Sequence, residues 1–439
     1  MIWDEEIKKK TVSSEQAANM VKSGDLVSIP MGREPTTILY SLAARKEELR
    51  GVRICHSNAQ RDIGWYDAGW DDSFLILSTY VFPITHSLFA ARRADYYETD
   101  IFQRAYFDVS DKENIDVLLL TVSPPDKHGY VSFGGSVWGK KAAIEKAKLV
   151  IAEINPFQIR TFGRNSAHLS EIDFFVEHQS LGTVPQTRDM TGRVIGGPGP
   201  AEKAIAGHVS TLIHDGDTVM IGIGGATEFL FDLGAFDGRQ DLGIHTEIIS
   251  PGMIKGVKKG TFTGARKNIH KDVAVGTAIG GGREEYDYVD QNPKFELYER
   301  DHILDPRVIS AHDNMVTIAS CFTMDLTGQG SAAGLGYTML AGTGGQIPFA
   351  IGSFLSRGGR YILALTSTTS NGISRFVSAF PPGQVVTIPR WLTDYVVTEQ
   401  GIANLRAKSQ RQRVNEILSI VHPDHRADLK KAAEKAFWP

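Results

Sequence analysis

The stretch DLGIHTEIIS, residues 241–250, has the composition of a buried strand, yet it carries a carboxylate, Glu247, near its end. Moving an unpaired carboxylate out of water costs several kcal/mol or more, so a strand keeps one only for a reason. Two reasons fit the residue type. The acid pairs with an arginine or a helix end, or it is an ionised, dehydrated group held ready to attack a carbonyl.

Two glycine-rich runs offer what such an attack needs from the backbone. In VMIGIGGATEFLFDL (219–233) a strand breaks into Gly222, Ile223, Gly224, Gly225 and Ala226 and then enters a helix. Glycines there let a ligand approach the main chain, and free N–H groups at a helix start favour an anion. A dinucleotide fingerprint requires a third glycine where Thr227 stands, which disfavours a nicotinamide dehydrogenase. The same residues also make an ordinary strand-to-helix turn. The second run, LAGTGGQIPFAIG (340–352), contains Gly345 and lies between apolar segments, so the two loops together are able to supply donors to one oxyanion. Elsewhere, SPPDKHGYVSFGG (123–135) reads as a turn with Asp126 capping and Gly129 at positive φ. HPDHR (422–426) has metal-capable residues but follows a helix near the C-terminus, and no metal is expected there.

These residues need a scaffold, and the pattern around them describes one. A serine-rich cap, a helix and the turn SGD lead into the strand LVSIP. TTILYSLAARKEEL then has helical spacing, and VRICHS returns to strand. IDVLLLTVSP and KLVIAEIN are strand-length apolar runs separated by the helical KKAAIEKA. Alternation of this kind predicts a largely parallel, doubly wound α/β sheet. Sliding the chain by 192 residues lays Gly24, Asp25, Val27, Ile29, Gly32, Ala43 and Gly51 on Gly216, Asp217, Val219, Ile221, Gly224, Ala235 and Gly243 without a gap. We therefore expect two similar open α/β domains with mainly parallel sheets, related by internal duplication. The first covers 1–190 and the second 201–439, joined by a Gly- and Pro-rich linker at 191–200. In this register Glu247 falls opposite Cys55, so the carboxylate is not needed to build the strand.

Composition narrows the class. Across 439 residues the formal charge is -4, which gives no reason to expect nucleic acid or an anionic membrane as partner. Two cysteines, Cys55 and Cys321, are too few for a disulfide framework or a cysteine zinc site. The longest apolar runs, such as VLLLTV, fall short of a membrane span, and MIWDEEIKKKTVSSEQ has no apolar h-region. We expect a cytoplasmic protein and a homo-oligomer.

Taken in order along the chain, SPPDKHGYVSFG, GIGG, LGIHTE, GTGGQ, YVVTEQGIANL and HPDHR resemble the family I CoA transferases, in their acetyl-CoA hydrolase/transferase branch. That branch includes 4-hydroxybutyrate, butyryl-CoA:acetate and itaconate CoA transferases. The resemblance runs from about residue 10 to the C-terminus. It implies an active site in the cleft between the two domains, with coenzyme A, carried as acyl-CoA, and small carboxylic acids as substrates. By this resemblance Glu247 matches the glutamate that forms a glutamyl-CoA thioester, Gly222 to Ala226 match the CoA-contacting loop, and Gly345 matches the glycine of the second cluster. SCFTMDLTG (320–328) places Phe322 near the CoA. The implied route needs no metal, because the attacking carboxylate and the leaving thiolate are already anions. Two departures bear on the acyl group. Ile347 and Pro348 stand where the family commonly has valine and aspartate, and IPMGREP (29–35) differs from the usual form. Met31 in that loop is flexible and apolar, suited equally to an acyl pocket and to core packing. The alternatives are an acyl-CoA hydrolase on the same scaffold and a non-catalytic CoA- or nucleotide-binding regulator.

Overall fold

A computed structural model of the chain describes residues 3–56, 59–78, 80–96, 115–179 and 196–439. The chain divides into two compact units, Met1–Val194 with Thr277–His302, and Ile195–Gly276 with Ile303–Pro439. The linker expected at 191–200 lies outside the described residues up to 195. One segment differs from the expected division: residues Thr277–His302 pack with the first unit although in sequence they lie between the two stretches of the second. The reason is local bonding. Leu297 pairs with Gly163 in a short parallel ladder, and the Glu299 carboxylate accepts from the N–H groups of Gly139 and Lys141 at the start of helix Lys140–Lys146.

The first unit is built on a seven-stranded sheet. From edge to edge its strands are Phe174–Glu177, Leu149–Ile154, Val117–Val122, Leu26–Ile29, Val52–His56, Phe74–Ser78 and Ala94–Tyr96, and every pairing is parallel. Parallel strands need covering on both faces, which is why Val117–Val122 is buried along its whole length. Helix Ser14–Asn19 starts on a capping box, with Ser13 accepting from Gln16 N–H and Gln16 returning a bond to Ser13 N–H. Helix Thr36–Ala43 buries Ile38, Leu39 and Leu42 in the core formed with Val27, Ile29 and Ile54. Each such side chain contributes about 1.5–3 kcal/mol relative to exposure.

In the second unit a six-stranded sheet runs Gly243–Ile244, Thr218–Ile221, Met315–Ala319, Arg360–Ala364, Tyr395–Thr398 and Gly401–Asn404. Its pairings are parallel except the last, an antiparallel hairpin within YVVTEQGIAN. Around Tyr361, Leu363, Val396, Ile417 and Met324 its core is fully buried.

The duplication is visible in strand order. In both units the first strand lies between the second strand and the strand that opens the other side of the sheet. Leu26–Ile29 sits between Val52–His56 and Val117–Val122, as Thr218–Ile221 sits between Gly243–Ile244 and Met315–Ala319. The first strands also coincide residue for residue under the 192-residue shift. Beyond them the sequence register drifts. Leu26 pairs with Arg53, whereas Thr218 pairs with Gly243, two residues short of the equivalent position. A two-residue slip keeps every side chain on its own face, so it disturbs the packing little. Its consequence is that His245, not Glu247, stands at the level of Cys55.

Candidate active site

That slip answers why a carboxylate stands near the end of an apolar run. Regular pairing covers Gly243–Ile244 and a single bridge from His245 to Val275, and Glu247 falls in the bend that follows. The expected buried strand therefore ends before the acid. Glu247 keeps partial exposure, while His245 and Thr246 are fully buried.

Glu247 sits where helix Gln346–Leu355 begins. The Gly345 N–H, at the helix N-cap, donates to Glu247 Oε2 at 2.9 Å. Gly345 is a glycine because of this approach. A Cβ there would lie 2.7 Å from Glu247 Oε2 and 2.8 Å from Leu304 Cδ2, well inside contact distance. The surrounding protein strips water from the carboxyl and pushes it up to about 7, and the Gly345 bond opposes this only in part. At neutral pH such a carboxyl is poised between its two protonation states.

The glycine loop leaves the neighbouring strand. Gly222 N–H still donates to Ile318 O at 2.8 Å, continuing the parallel ladder, and the chain then turns through Gly224 and Gly225 at φ +93° and +63°. Only glycine adopts these angles without strain. Thr227, the residue that spoils a dinucleotide fingerprint, holds the loop together. Its hydroxyl reaches Gly222 O at 2.6 Å and Gly224 O at 2.7 Å, closing the loop on itself. Among the described residues, no protein acceptor is paired with the N–H groups of Ile223 or Gly225.

A third segment joins the two. Met315–Ala319 ends in Ser320, Cys321 and Phe322. Ser320 Oγ lies 3.3 Å from where a Cβ on Gly225 would stand, and its carbonyl accepts from Gln346 Nε2 at 3.0 Å. The buried Gln346 amide also donates to Tyr361 Oη at 2.8 Å. Gly225, Ser320, Gln346, Gly345 and Glu247 are thus linked in sequence of contact, at the carboxyl ends of Thr218–Ile221 and Met315–Ala319. Here the strand order reverses, the place where open α/β sheets leave a crevice for ligands. Phe322 is half-buried in the bend beside this group, its backbone tied to Ser331 O at 2.8 Å and Arg375 Nη1 at 3.1 Å. Thr227, Ser320, Gln346 and Leu304 had no role from sequence. Gln346 alone had a signal there, following the second glycine pair.

Met31 lies in the first unit. It is 8% exposed in the bend after Leu26–Ile29, and its carbonyl accepts from Ser136 Oγ at 3.0 Å. The loop is anchored at its far end by Glu34, whose Oε1 accepts from Gln60 N–H at 3.0 Å and lies 3.1 Å from His56 Nε2. Other motifs resolve into structure. Asp126 accepts from His128 and Tyr130 N–H at 2.8 and 3.0 Å, and Gly129 has φ +81°. In HPDHR, His422 caps helix Pro423–Phe437 and His425 Nε2 contacts Gly372 O at 2.9 Å. Among the described residues, no cluster of His, Cys, Asp or Glu has a metal-binding arrangement, and no helix is long and apolar enough to cross a membrane.

Comparison with known proteins meets this geometry. Residues 2–184 match the acetyl-CoA hydrolase/transferase N-terminal domain, and 281–433 match the acetyl-CoA hydrolase/transferase C-terminal domain. The chain belongs to the acetyl-CoA hydrolase/transferase family. Glu247 and the Gly222–Ala226 loop fall between the two matched stretches, but full-length relatives span them. The chain is 35% identical to the 4-hydroxybutyrate coenzyme A transferase of Clostridium kluyveri, with all of both chains covered. It is also 35% identical to the succinyl-CoA:cyclohexane-1-carboxylate CoA transferase of Geobacter metallireducens, covering 99% of this chain and 97% of that one. Among solved structures it resembles RipA from Yersinia pestis with a TM-score of 0.89 at 28% identity, over 98% of each chain. Two relatives equally similar to this family member are named for different acids, so overall similarity does not select an acyl group.

Proposed function

We propose that this enzyme transfers CoA between a short-chain acyl-CoA and a free carboxylate, with Glu247 carrying the CoA as a glutamyl thioester. CoA transfer itself accords with the family and with relatives matched over their full length. The observation that carries the role of Glu247 is its carboxyl, crowded by protein, bonded to Gly345 N–H and raised to about 7 at the reversal of strand order.

In the forward half-reaction a Glu247 oxygen attacks the thioester carbonyl, the C–S bond breaks, and a mixed anhydride and CoA thiolate result. The thiolate attacks the glutamyl carbonyl, the anhydride C–O bond breaks, and the donor's carboxylate departs. An acceptor carboxylate then attacks the glutamyl thioester and expels the thiolate. The thiolate attacks the acceptor's acyl carbon and frees Glu247. Protons balance throughout, because every nucleophile and leaving group is an anion. The N–H groups of Ile223, Gly225 and Gly345 support the tetrahedral oxyanions, at roughly 3–4 kcal/mol per donor by comparison with other oxyanion sites. Gly345 passes from the resting carboxylate to the oxyanion, so its donor is oriented before reaction. Phe322 packs beside the CoA.

Labelling tests this directly. Incubation with acyl-CoA alone should add the mass of CoA to the peptide containing Glu247, hydroxylamine should release CoA as the free thiol and leave Glu247 as a hydroxamate, and double-reciprocal plots should be parallel. Intersecting lines and no labelled peptide would replace the covalent route with a ternary complex. A pH profile is a second check. Glu247 must be ionised to attack, so kcat/KM, which reports the free enzyme, should rise with pH along a limb centred at about 7. A limb near 4.5, the ordinary glutamate value, would mean that the carboxyl is not dehydrated in solution.

Met31 supplies a wall of the acyl pocket in this proposal. The ratio of kcat/KM for a short and a longer acyl-CoA should change in Met31→Ala. Parallel falls in both values would assign Met31 to packing, as its burial also allows. The enzyme acts in the cytoplasm as a homo-oligomer. Two buried free cysteines accord with a reducing compartment.

A further inference from the structure

Two residues before Glu247, His245 is buried completely, and so is His312. Neither imidazole has a part in the transfer chemistry. A fully buried ring carries two polar nitrogens that each require a partner, so an apolar residue would fill the same space at lower cost. The partners found here are specific. His245 Nε2 lies 3.0 Å from Ile303 O, and His245 Nδ1 lies 3.3 Å from His312 Nε2. A carbonyl only accepts, so His245 carries its proton on Nε2. Its Nδ1 is then an acceptor, and His312 Nε2–H donates to it.

The elements that His245 touches are those that hold Glu247. Ile303 precedes Leu304, whose Cδ2 and Glu247 Oε2 converge on the same point above Gly345. The imidazole also lies against Phe349, with 6.0 Å between ring centres and the ring planes inclined at 63°. Phe349 N–H bonds to Gly345 O at 3.1 Å, one turn into the helix whose N-cap binds Glu247. His312 is tied to the far end of that helix, since Ser356 Oγ donates to His312 O at 2.6 Å.

We propose that His245 is a positioning residue for Glu247: its Nε2–H bond to the Ile303 carbonyl holds Leu304 beside the carboxylate, and His312 fixes the tautomer that makes this bond. The inference rests on Glu247 as nucleophile. Leu304 is the group that keeps water from one side of the carboxylate, and His245 keeps Leu304 in place.

Three variants test it in the full-length enzyme with one acyl-CoA and one acceptor. His245→Phe keeps a ring and removes the donor, whereas His245→Gln keeps an N–H near the Nε2 position. For His245→Phe a loss of about 100-fold in kcat is expected, the scale of a misplaced reacting group, with KM for the acyl-CoA nearly unchanged. The acid limb of kcat/KM should move down by about one pH unit as water reaches Glu247. His245→Gln should recover most of the rate and the original limb. Leu304→Ala alters the cover without touching either histidine and should move the limb in the same direction, which keeps the test informative if His245→Phe does not fold. Equal losses in the Phe and Gln variants, or an unmoved limb in Leu304→Ala, would overturn the positioning role. Glu247→Gln is assayed beside them. If it stays active, the nucleophile assignment fails; if it is inactive while His245→Phe turns over normally, only the present inference fails.

Discussion

Glu247→Gln is expected to abolish CoA transfer while leaving a folded protein that still binds CoA. The amide is nearly isosteric, and its oxygen can still accept from Gly345 N–H, so the loop Gly344–Gln346 has no cause to move. As a nucleophile toward a thioester carbonyl an amide is far weaker than a carboxylate. A fall of at least about a thousandfold in kcat is expected, corresponding to about 4 kcal/mol of barrier. Activity within about tenfold of wild type, only about 1.4 kcal/mol, would remove Glu247 from the nucleophile role.

The same variant should change stability in the opposite direction. Glu247 has a folded-state value near 7 against an ordinary 4.5, so between these pH values the folded chain holds a proton that the unfolded chain has released. The contribution of the neutral carboxyl is complete below 4.5 and is lost as pH rises through about 7. Glutamine cannot ionise. Glu247→Gln should therefore melt higher than wild type at pH 8, by up to about 3 kcal/mol of stability, less whatever residual solvent contact the carboxylate keeps. The difference should vanish near pH 4.5. A variant no more stable than wild type at pH 8 would show that the ionised carboxylate carries no dehydration cost.

Gly345→Val is expected to lower the rate with every acyl-CoA. At φ -83° the backbone of residue 345 accepts a side chain without strain, so the effect comes from contact alone. The new Cβ would stand 2.7 Å from Glu247 Oε2, 2.8 Å from Leu304 Cδ2 and 3.1 Å from Glu247 Cδ. Leu304 is fully buried and has little room to retreat, so the carboxylate is displaced. Displacement of about 1 Å at a reacting atom costs on the order of 100-fold. The loss should be similar for short and long acyl groups, because the collision is with the nucleophile rather than with the acyl chain. A loss confined to longer acyl-CoAs would place Gly345 in the acyl pocket.

Much of this molecule is determined by local sequence. Strand Leu26–Ile29, helix Thr36–Ala43 and the second-unit counterpart strand Thr218–Ile221 follow from apolar runs, caps and glycine breaks, which depend on neighbours a few residues away. The parallel α/β class follows from their alternation, and the duplication from a shift that aligns the two first strands residue for residue. The family follows from six short motifs in order. Tertiary structure alone decided three further matters. The first is the two-residue slip between Val52–His56 and Gly243–Ile244, which puts Glu247 past the last paired residue; pairing register is a property of two distant segments, and a slip of two leaves the apolar pattern unchanged. The second is the membership of Thr277–His302 in the first unit, set by ladder and capping bonds to residues more than a hundred positions away. The third is the carboxyl of Glu247 itself. Its residue type is in the sequence, but its raised protonation point comes from the protein that crowds it, opposed in part by the donor at Gly345, ninety-eight residues away, and only folding brings these together.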